Sequence, residues 1–504
     1  MPLLALLLLA RIALPLLLLH PAWEWHRDEL LYAAMGDHLS WFGMQFPPLV
    51  PALTRLGVAA FGDAVWAVRV PAALAGGLLT GIVLWLVRRL GGGAFAIGMA
   101  WLAMLAAPVF VRPSVLFHPV ILDQCWATLA VAALAVAARE QEPRWWLVAG
   151  LALGLGALTK FSVAFHGAAL LLPALAVPRL RRQLETRWPW LAAGLALVLA
   201  VPSLAGQVAN DWPFLRSMAA LRAAQLARVS PSAFLGGQLV LLASGIVAAA
   251  FGARAAVRGD VGARVAGLFA LALVGLMLLL GGKDYYAAPA WPALIAVGAV
   301  AWERAAADAV AARRLLLRLA LPTLVAACAL VPLPLGIPCL APDAMARYTA
   351  ALGIGTNTNR GVALALPQDY ADMLGWRAEA ESVAAVLRAL PADERGRVTL
   401  VGSNYGKAGA LALHRHRLGL PYPISIHGDF HAWGPGPQDG DITLLVDEPD
   451  AAPALRVTWR EVQEVGRLTD ARRVPEEQDV RLLLARGIRR PIGALWRDTP
   501  ARWD

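Results

Sequence analysis

Apolar runs of membrane-spanning length, roughly 17–25 residues, recur near 2–20, 64–87, 93–111, 119–138, 188–208, 233–252, 263–281, 285–302 and 315–334. They predict nine transmembrane helices. The apolar stretch from Trp145 to Val177 is too long for one helix and is interrupted by Gly154, Gly156, Thr159, Lys160 and His166. It predicts two short spans meeting near Lys160, for about eleven in all. Between Asp28 and Phe61, Asp37, His38, Pro47, Pro48, Pro51 and Arg55 break the apolar pattern, while Leu39, Trp41, Phe42, Leu49, Leu53 and Leu56 keep one side apolar. That pattern predicts short helices lying at the membrane interface. Residues 214–229, with Arg216, Arg222 and Arg228 among Leu, Met and Ala, predict another such helix, its basic face toward phosphates of the outer surface.

Past Pro338 the pattern turns soluble. A helix is predicted over Ala378–Leu390, a strand over Arg397–Val401, a helix over Ala408–His416 and a strand over Ile442–Val446. Alternation of this kind implies an α/β domain over 338–504, large enough for its own core, after a membrane domain over 1–337. The fold class expected is a polytopic α-helical membrane protein with a C-terminal α/β extracytoplasmic domain.

Composition agrees. Of 504 residues, 59% are hydrophobic and 16% charged, against about a quarter charged in soluble domains. The formal net charge of +10 reflects arginines in cytoplasmic loops and is no sign of nucleic acid. With the N-terminus inside, the inner loops hold fifteen basic residues and the outer loops eight. An odd number of spans then puts the C-terminal domain outside. The first twenty residues lack a basic start and a small-residue cleavage site, so they are read as a retained helix. Arg11 inside that helix is costly without a partner. Cys125, Cys328 and Cys339 show neither metal-site spacing nor a disulfide framework, with Cys328 and Cys339 a candidate pair.

This topology gathers the unusual polar residues on one side. Asp28 and Glu29 fall in the first outer loop, Asp123 near the outer end of the fourth span, and Lys160 between the short spans. Asn210-Asp211 and Lys283-Asp284-Tyr285-Tyr286 occupy two further outer loops. Singly, each is as readily a cap or an interfacial anchor as a site; together they indicate chemistry. A carboxylate at a lipid surface can take a proton from an acceptor, and a nearby Lys or Arg can hold a leaving phosphate. Glycosyl transfer from a lipid phosphate fits this; so does a proton relay in a transporter. A scaffold whose outer domain binds a partner leaves Asp28, Lys160 and Lys283 unexplained.

The Asp28-Glu29 pair, followed by Tyr32, Gly43, Pro47-Pro48-Leu49, Phe61-Gly62 and Arg69, resembles the first-loop pattern of glycosyltransferase family 39. These are protein-mannosyltransferase-like enzymes that include the aminoarabinose transferases of lipid A. Leu122-Asp123, Gly154-Leu155-Gly156-Ala157-Leu158-Thr159-Lys160 and Lys283-Asp284-Tyr285-Tyr286 with Pro289 and Pro292 are similar to later motifs, in the same order, over most of residues 20–302. The resemblance implies a GT-C fold, a polyprenyl-phosphate-linked monosaccharide as donor and inversion at the anomeric carbon; separately, the Ala- and Arg-rich composition points to a GC-rich bacterium and so to an undecaprenyl-type lipid. Asp28 would be the general base, with Glu29 as a second carboxylate or a divalent-metal ligand. Lys160, Lys283, Tyr285, Tyr286, Arg69 and Asp123 would hold the donor phosphate and lipid. Met373-Leu374-Gly375-Trp376, Asn404-Tyr405-Gly406-Lys407 and Trp433-Gly434-Pro435 resemble bacterial members, and place Asn404, Tyr405 and Trp433 at an acceptor cleft. Those members usually carry an acidic residue where this chain has Lys407. The acceptor, whether glycan, lipid or protein, is left open.

Overall fold

The computed structural model describes residues 2–502 apart from 225, 227–228, 359–360 and 450. Among them, five helices are long and apolar enough to cross a membrane alone: Trp66–Arg89, Pro119–Glu140, Arg187–Ala209, Pro231–Val257 and Val261–Leu279. Shorter apolar helices occupy Pro2–Leu17, Trp145–Ala157 and Val163–Ala176. The count of eleven therefore rests on hydropathy alone. The expected span over 93–111 is not one helix. Ala94–Ala106 and Pro108–Ser114 meet at an 85° bend, because Ala107, driven out of the helical region by the following proline, is extended at φ −101° and ψ 110°.

That bend resolves the buried charge in the first helix. Arg11 is almost wholly buried, and its guanidinium donates to the Phe110 carbonyl at 2.8 Å and to Ser114 Oγ at 2.6 Å. Small residues set the helix spacing. A methyl group on Gly298 would lie 1.8 Å from the Ala248 carbonyl oxygen, and one on Gly150 would lie 2.3 Å from that of Ala192.

The first outer loop folds into two short helices, Arg27–Asp37 and Leu49–Phe61. The second amphipathic stretch forms the helix Pro213–Ala224, and Arg228 lies outside the described residues. Cys328 and Cys339 are both free thiols, so the disulfide considered from sequence is not formed.

Toward the C-terminus, β1 (Val398–Gly402), β2 (Ile442–Asp447), β3 (Trp459–Thr469) and β4 (Asp479–Ile488) form one sheet in the order β1-β2-β4-β3. β1 and β2 are parallel, joined through the helix Tyr405–Leu418, whereas β4 runs antiparallel to both its neighbours. Val383, Leu387, Leu400, Leu411, Leu444 and Leu482 close the core between sheet and helices.

The Tyr405–Leu418 helix lies directly against Arg27–Asp37. At Gly409 a Cβ would fall 2.9 Å from the Leu30 carbonyl carbon, so only glycine permits this approach. Asp63 accepts from His414 and Arg417 at 2.8 Å each, and Asp37 from Arg415 at 2.6 Å. The two arginine pairs are exposed and fix register more than they stabilise, at up to about 1 kcal/mol each.

Candidate active site

Asp28 sits in the first turn of Arg27–Asp37, where the helix start arranges everything around it. His26 is the N-cap: its Nδ1 accepts the Asp28 N–H at 3.1 Å, while Glu29 Oε2 accepts the His26 N–H at 2.8 Å, a reciprocal capping box. Burial lowers His26 to about 4, so it is neutral at pH 7. Asp28 points the other way. Its Oδ1 accepts from the Tyr405 hydroxyl at 2.9 Å, and His118 Nε2 lies 3.3 Å from its Oδ2. His118 caps the Pro119–Glu140 helix, Nδ1 accepting the Val120 N–H at 3.4 Å. That bond leaves the ring proton on Nε2, facing the carboxylate. Burial pushes the Asp28 carboxyl up, but the His118 hydrogen bond and the Arg27 charge outweigh it, holding the carboxyl well below the usual range. Asp28 is thus ionised, 29% exposed and oriented by two donors.

Glu29 has a different place. Fully buried, it pairs with Arg69 and accepts the Phe117 N–H at 2.7 Å, besides the bond that caps the helix. Both oxygens are occupied, so the geometry offers no free carboxylate edge for a substrate proton or a divalent cation. Arg69 is likewise spent, on Glu29 and on the Glu24 carbonyl at 2.8 Å, rather than turned to a donor phosphate. Among the described residues, no group of three or more His, Cys, Asp or Glu side chains is placed to hold a metal ion.

The two lysines converge on one tyrosine. The Lys160 and Lys283 ammonium groups lie 6.0 and 5.9 Å from the Tyr285 ring centroid, and Lys160 lies 5.0 Å from that of Tyr286. The two tyrosines meet edge to face, with centroids 4.8 Å apart. Lys160 comes from the break between two short helices, where Asp123 Oδ1 accepts from Ser162 Oγ at 2.8 Å and lies 3.5 Å from His166 Nδ1. Asp123 therefore anchors the break that presents Lys160. Gln238 anchors the other side, donating to the Asp284 carbonyl at 2.8 Å and accepting from Trp291 at 3.0 Å. Burial lowers the Lys283 pKa against the opposing pull of Asp28, Asp369 and Asp284.

From the C-terminal region, only Tyr405 reaches Asp28 among the three residues assigned there. Asn404 caps the helix through Lys407 N at 3.0 Å and donates to Glu477 at 2.7 Å. Lys407 is buried on Glu477 at 3.0 Å. Trp433 stacks on His38, centroids 4.0 Å apart, at the opposite end of Arg27–Asp37 from Asp28. Asn210 and Asp211 also stand apart, on the Gly43 carbonyl and Arg216. Residues not singled out from sequence complete the surroundings. Asp372 lies 3.4 Å from Arg27 and is pushed up to about 7 by burial, and Asp369 pairs with Arg112 at 3.3 Å. His118 had a readable signal, a capping residue directly before Pro119; Asp369 and Asp372 had none.

Comparisons with known proteins come from both sequence and fold. Residues 45–205 match the family model described as dolichyl-phosphate-mannose-protein mannosyltransferase. This range includes Arg69, Asp123 and Lys160 but neither Asp28 nor Lys283. No curated protein matches the chain by sequence. The crystal structure of ArnT from Cupriavidus metallidurans in the apo state aligns at a TM-score of 0.63 and 18% identity, covering 95% of this chain and 97% of that one. The same protein bound to undecaprenyl phosphate aligns at 0.61 and 18%, covering 94% and 97%. Archaeal oligosaccharyltransferase AglB from Archaeoglobus fulgidus, in complex with an inhibitory peptide and a dolichol-phosphate, aligns at 0.51 and 11%, covering 88% and 69%. The resemblance read from the motifs therefore stands: over residues 45–205 the chain carries the pattern of the mannosyltransferase family, and over 95% of its length its fold is similar to that of ArnT.

Proposed function

We propose that this chain is an inverting glycosyltransferase that moves a monosaccharide from a polyprenyl-phosphate donor to an acceptor at the outer face of the cytoplasmic membrane. The observation that carries the reading is the placement of an ionised, doubly oriented Asp28 on one side of the site and two lysines around one tyrosine on the other. In the reaction, Asp28 takes the proton of an acceptor hydroxyl or amine as that atom's lone pair attacks the anomeric carbon. The bond from that carbon to the phosphate oxygen breaks, and its electron pair leaves on the polyprenyl phosphate. Lys160 and Lys283 offset the growing phosphate charge in a site partly shielded from water. Tyr285 and Tyr286 hold the ammonium groups at this spacing and present ring faces to sugar or lipid. Glu29 and Arg69 act behind the helix start, fixing where Asp28 points.

ArnT bound to undecaprenyl phosphate supports a polyprenyl donor of that class. The same charged groups would also suit a flippase for sugar-linked lipids. A transporter site is expected near the midplane between structural repeats, whereas these groups cluster at one end of the helices.

Membranes carrying the native chain, offered a panel of polyprenyl-phosphate sugars, are expected to release polyprenyl phosphate from one of them. Lys160→Met and Lys283→Met are each expected to lower kcat/KM for that donor about tenfold, the loss of roughly 1.4 kcal/mol of stabilisation of the phosphate charge. Movement of the sugar-linked lipid across the bilayer without release of polyprenyl phosphate would replace the enzyme by the flippase.

A further inference from the structure

The Val261–Leu279 helix links two polar regions. Lys283 lies just beyond one end and Asp260 caps the other. Its 19 residues span about 28 Å, close to the thickness of a bilayer's hydrocarbon core. At the end remote from Lys283 opens a cavity of about 340 Å³, lined by Arg254, Arg258, Arg304 and Arg313 together with Asp260 and Asp308.

These arginines come from four separate places: the Ile246–Val257 helix, the turn after it, the last turn of Trp291–Ala307, and Ala311–Leu315. Only Arg304 is committed, to Asp260 at 3.3 Å and the Leu90 carbonyl at 3.2 Å. Arg254, Arg258 and Arg313 make no side-chain hydrogen bond or ion pair with another described residue. Four arginines against two aspartates leave the cavity cationic. The arginines stand exposed at its mouth, and Leu90, Val297 and Val300, almost wholly buried between packed helices, give it a narrow apolar lining. A bias of basic residues to the inner side places arginines in loops; it does not direct three unpaired guanidiniums into one cleft with a hydrocarbon wall.

We infer that this cavity binds the phosphate headgroup of an anionic phospholipid from the leaflet opposite Asp28. The arginines take the phosphate oxygens, for which the planar guanidinium is suited. The glycerol and upper acyl carbons lie along Leu90, Val297 and Val300. This wall favours a lipid over a free phosphate, which would gain nothing from it, and basic pockets between transmembrane helices at this level are known to hold lipid headgroups. Two of the bordering helices reach the candidate active site at their other ends, so an occupant would also brace the scaffold of Lys283 and Tyr285.

The test uses the full chain in phosphatidylcholine nanodiscs, with phosphatidylglycerol added stepwise and bound lipid counted by native mass spectrometry. Saturable retention of phosphatidylglycerol is expected, and the combined R254Q, R258Q and R313Q variant should weaken it at least tenfold. A combined R88Q, R181Q and R182Q variant, which removes arginines assigned to the same side but outside the cavity, should retain it. Equal loss in both variants, no saturable retention by the native chain, or displacement by equimolar inorganic phosphate would each overturn the proposal. Should the cavity variant fail to fold, R313Q alone, on an exposed short helix, makes the same comparison against R182Q.

Discussion

Replacing Tyr405 by Phe isolates the contact through which the C-terminal region touches the proposed base. The substitution removes one hydroxyl, 2.9 Å from Asp28 Oδ1. It keeps the ring that lies 5.4 Å from the Arg27 guanidinium, so helix packing should survive. A hydrogen bond to a charged acceptor contributes about 1.5–3 kcal/mol. Since 1.36 kcal/mol corresponds to one pH unit, the acid limb of kcat/KM should move up by about 1–2 pH units. The sign follows from the charged form: Tyr405 stabilises ionised Asp28, whose carboxyl is held below its ordinary range. Without the hydroxyl, Asp28 is protonated at a higher pH and activity is lost sooner on acidification. Near neutral pH the carboxylate stays ionised, and only its orientation suffers, so turnover should fall about tenfold or less. The assay is polyprenyl phosphate release by both proteins from pH 8 down to about 2, since the native limb lies below the ordinary carboxylate range, with thermal unfolding at each pH as the check on folding. An unmoved acid limb together with native turnover would show that Tyr405 does not orient Asp28 and that the two regions merely touch.

Other consequences follow from packing and charge. Gly409→Ala places a methyl group 2.9 Å from the Leu30 carbonyl carbon, an overpacking that costs about 1–3 kcal/mol. The thermal midpoint and the turnover should fall together, while Gly396→Ala, with open space around it, leaves both unchanged. Asp429 is buried with Oδ2 unpaired, and burial raises it from 3.8 to about 7. The native state therefore keeps a proton that the unfolded chain releases above about pH 4, and this group lowers stability as pH rises from there to 7. Asp429→Asn should flatten that decline and raise the thermal midpoint at pH 8, by at most about 4 kcal/mol of stability; a native slope in the variant would contradict the assignment.

Hydropathy located the five long apolar helices, and the charges stranded between apolar runs pointed to Asp28, Lys160 and Lys283, because an ionised group there needs a reason. It could not tell a charge that faces a cleft from one that is paired inward. Asp28 and Glu29 are neighbours in sequence, yet one is held at the site by Tyr405 and the other is buried against Arg69. The partners that separate them lie 377 and 40 positions away, beyond the reach of any local pattern. The bend at Ala107 was available in the sequence as Pro108, but an unbroken apolar run masked it. β3 escaped notice because Arg460, Glu461, Glu464 and Arg467 interrupt its apolar positions. It lies at the edge of the sheet, where such charges discourage pairing with another chain. Residues 338–504 read as alternating helices and strands; the antiparallel β4 inserted between β2 and β3 is set by long-range pairing.

The most direct test of the central claim compares native membranes with Asp28→Asn at matched expression, measuring release of polyprenyl phosphate and transfer of sugar to the acceptor. The amide keeps the shape and can still accept from Tyr405, but it cannot take a proton. Loss of both activities by a factor of about 10² or more, with an unchanged thermal midpoint, is what a general base at Asp28 predicts. Equal turnover by the two proteins would remove Asp28 from the chemistry.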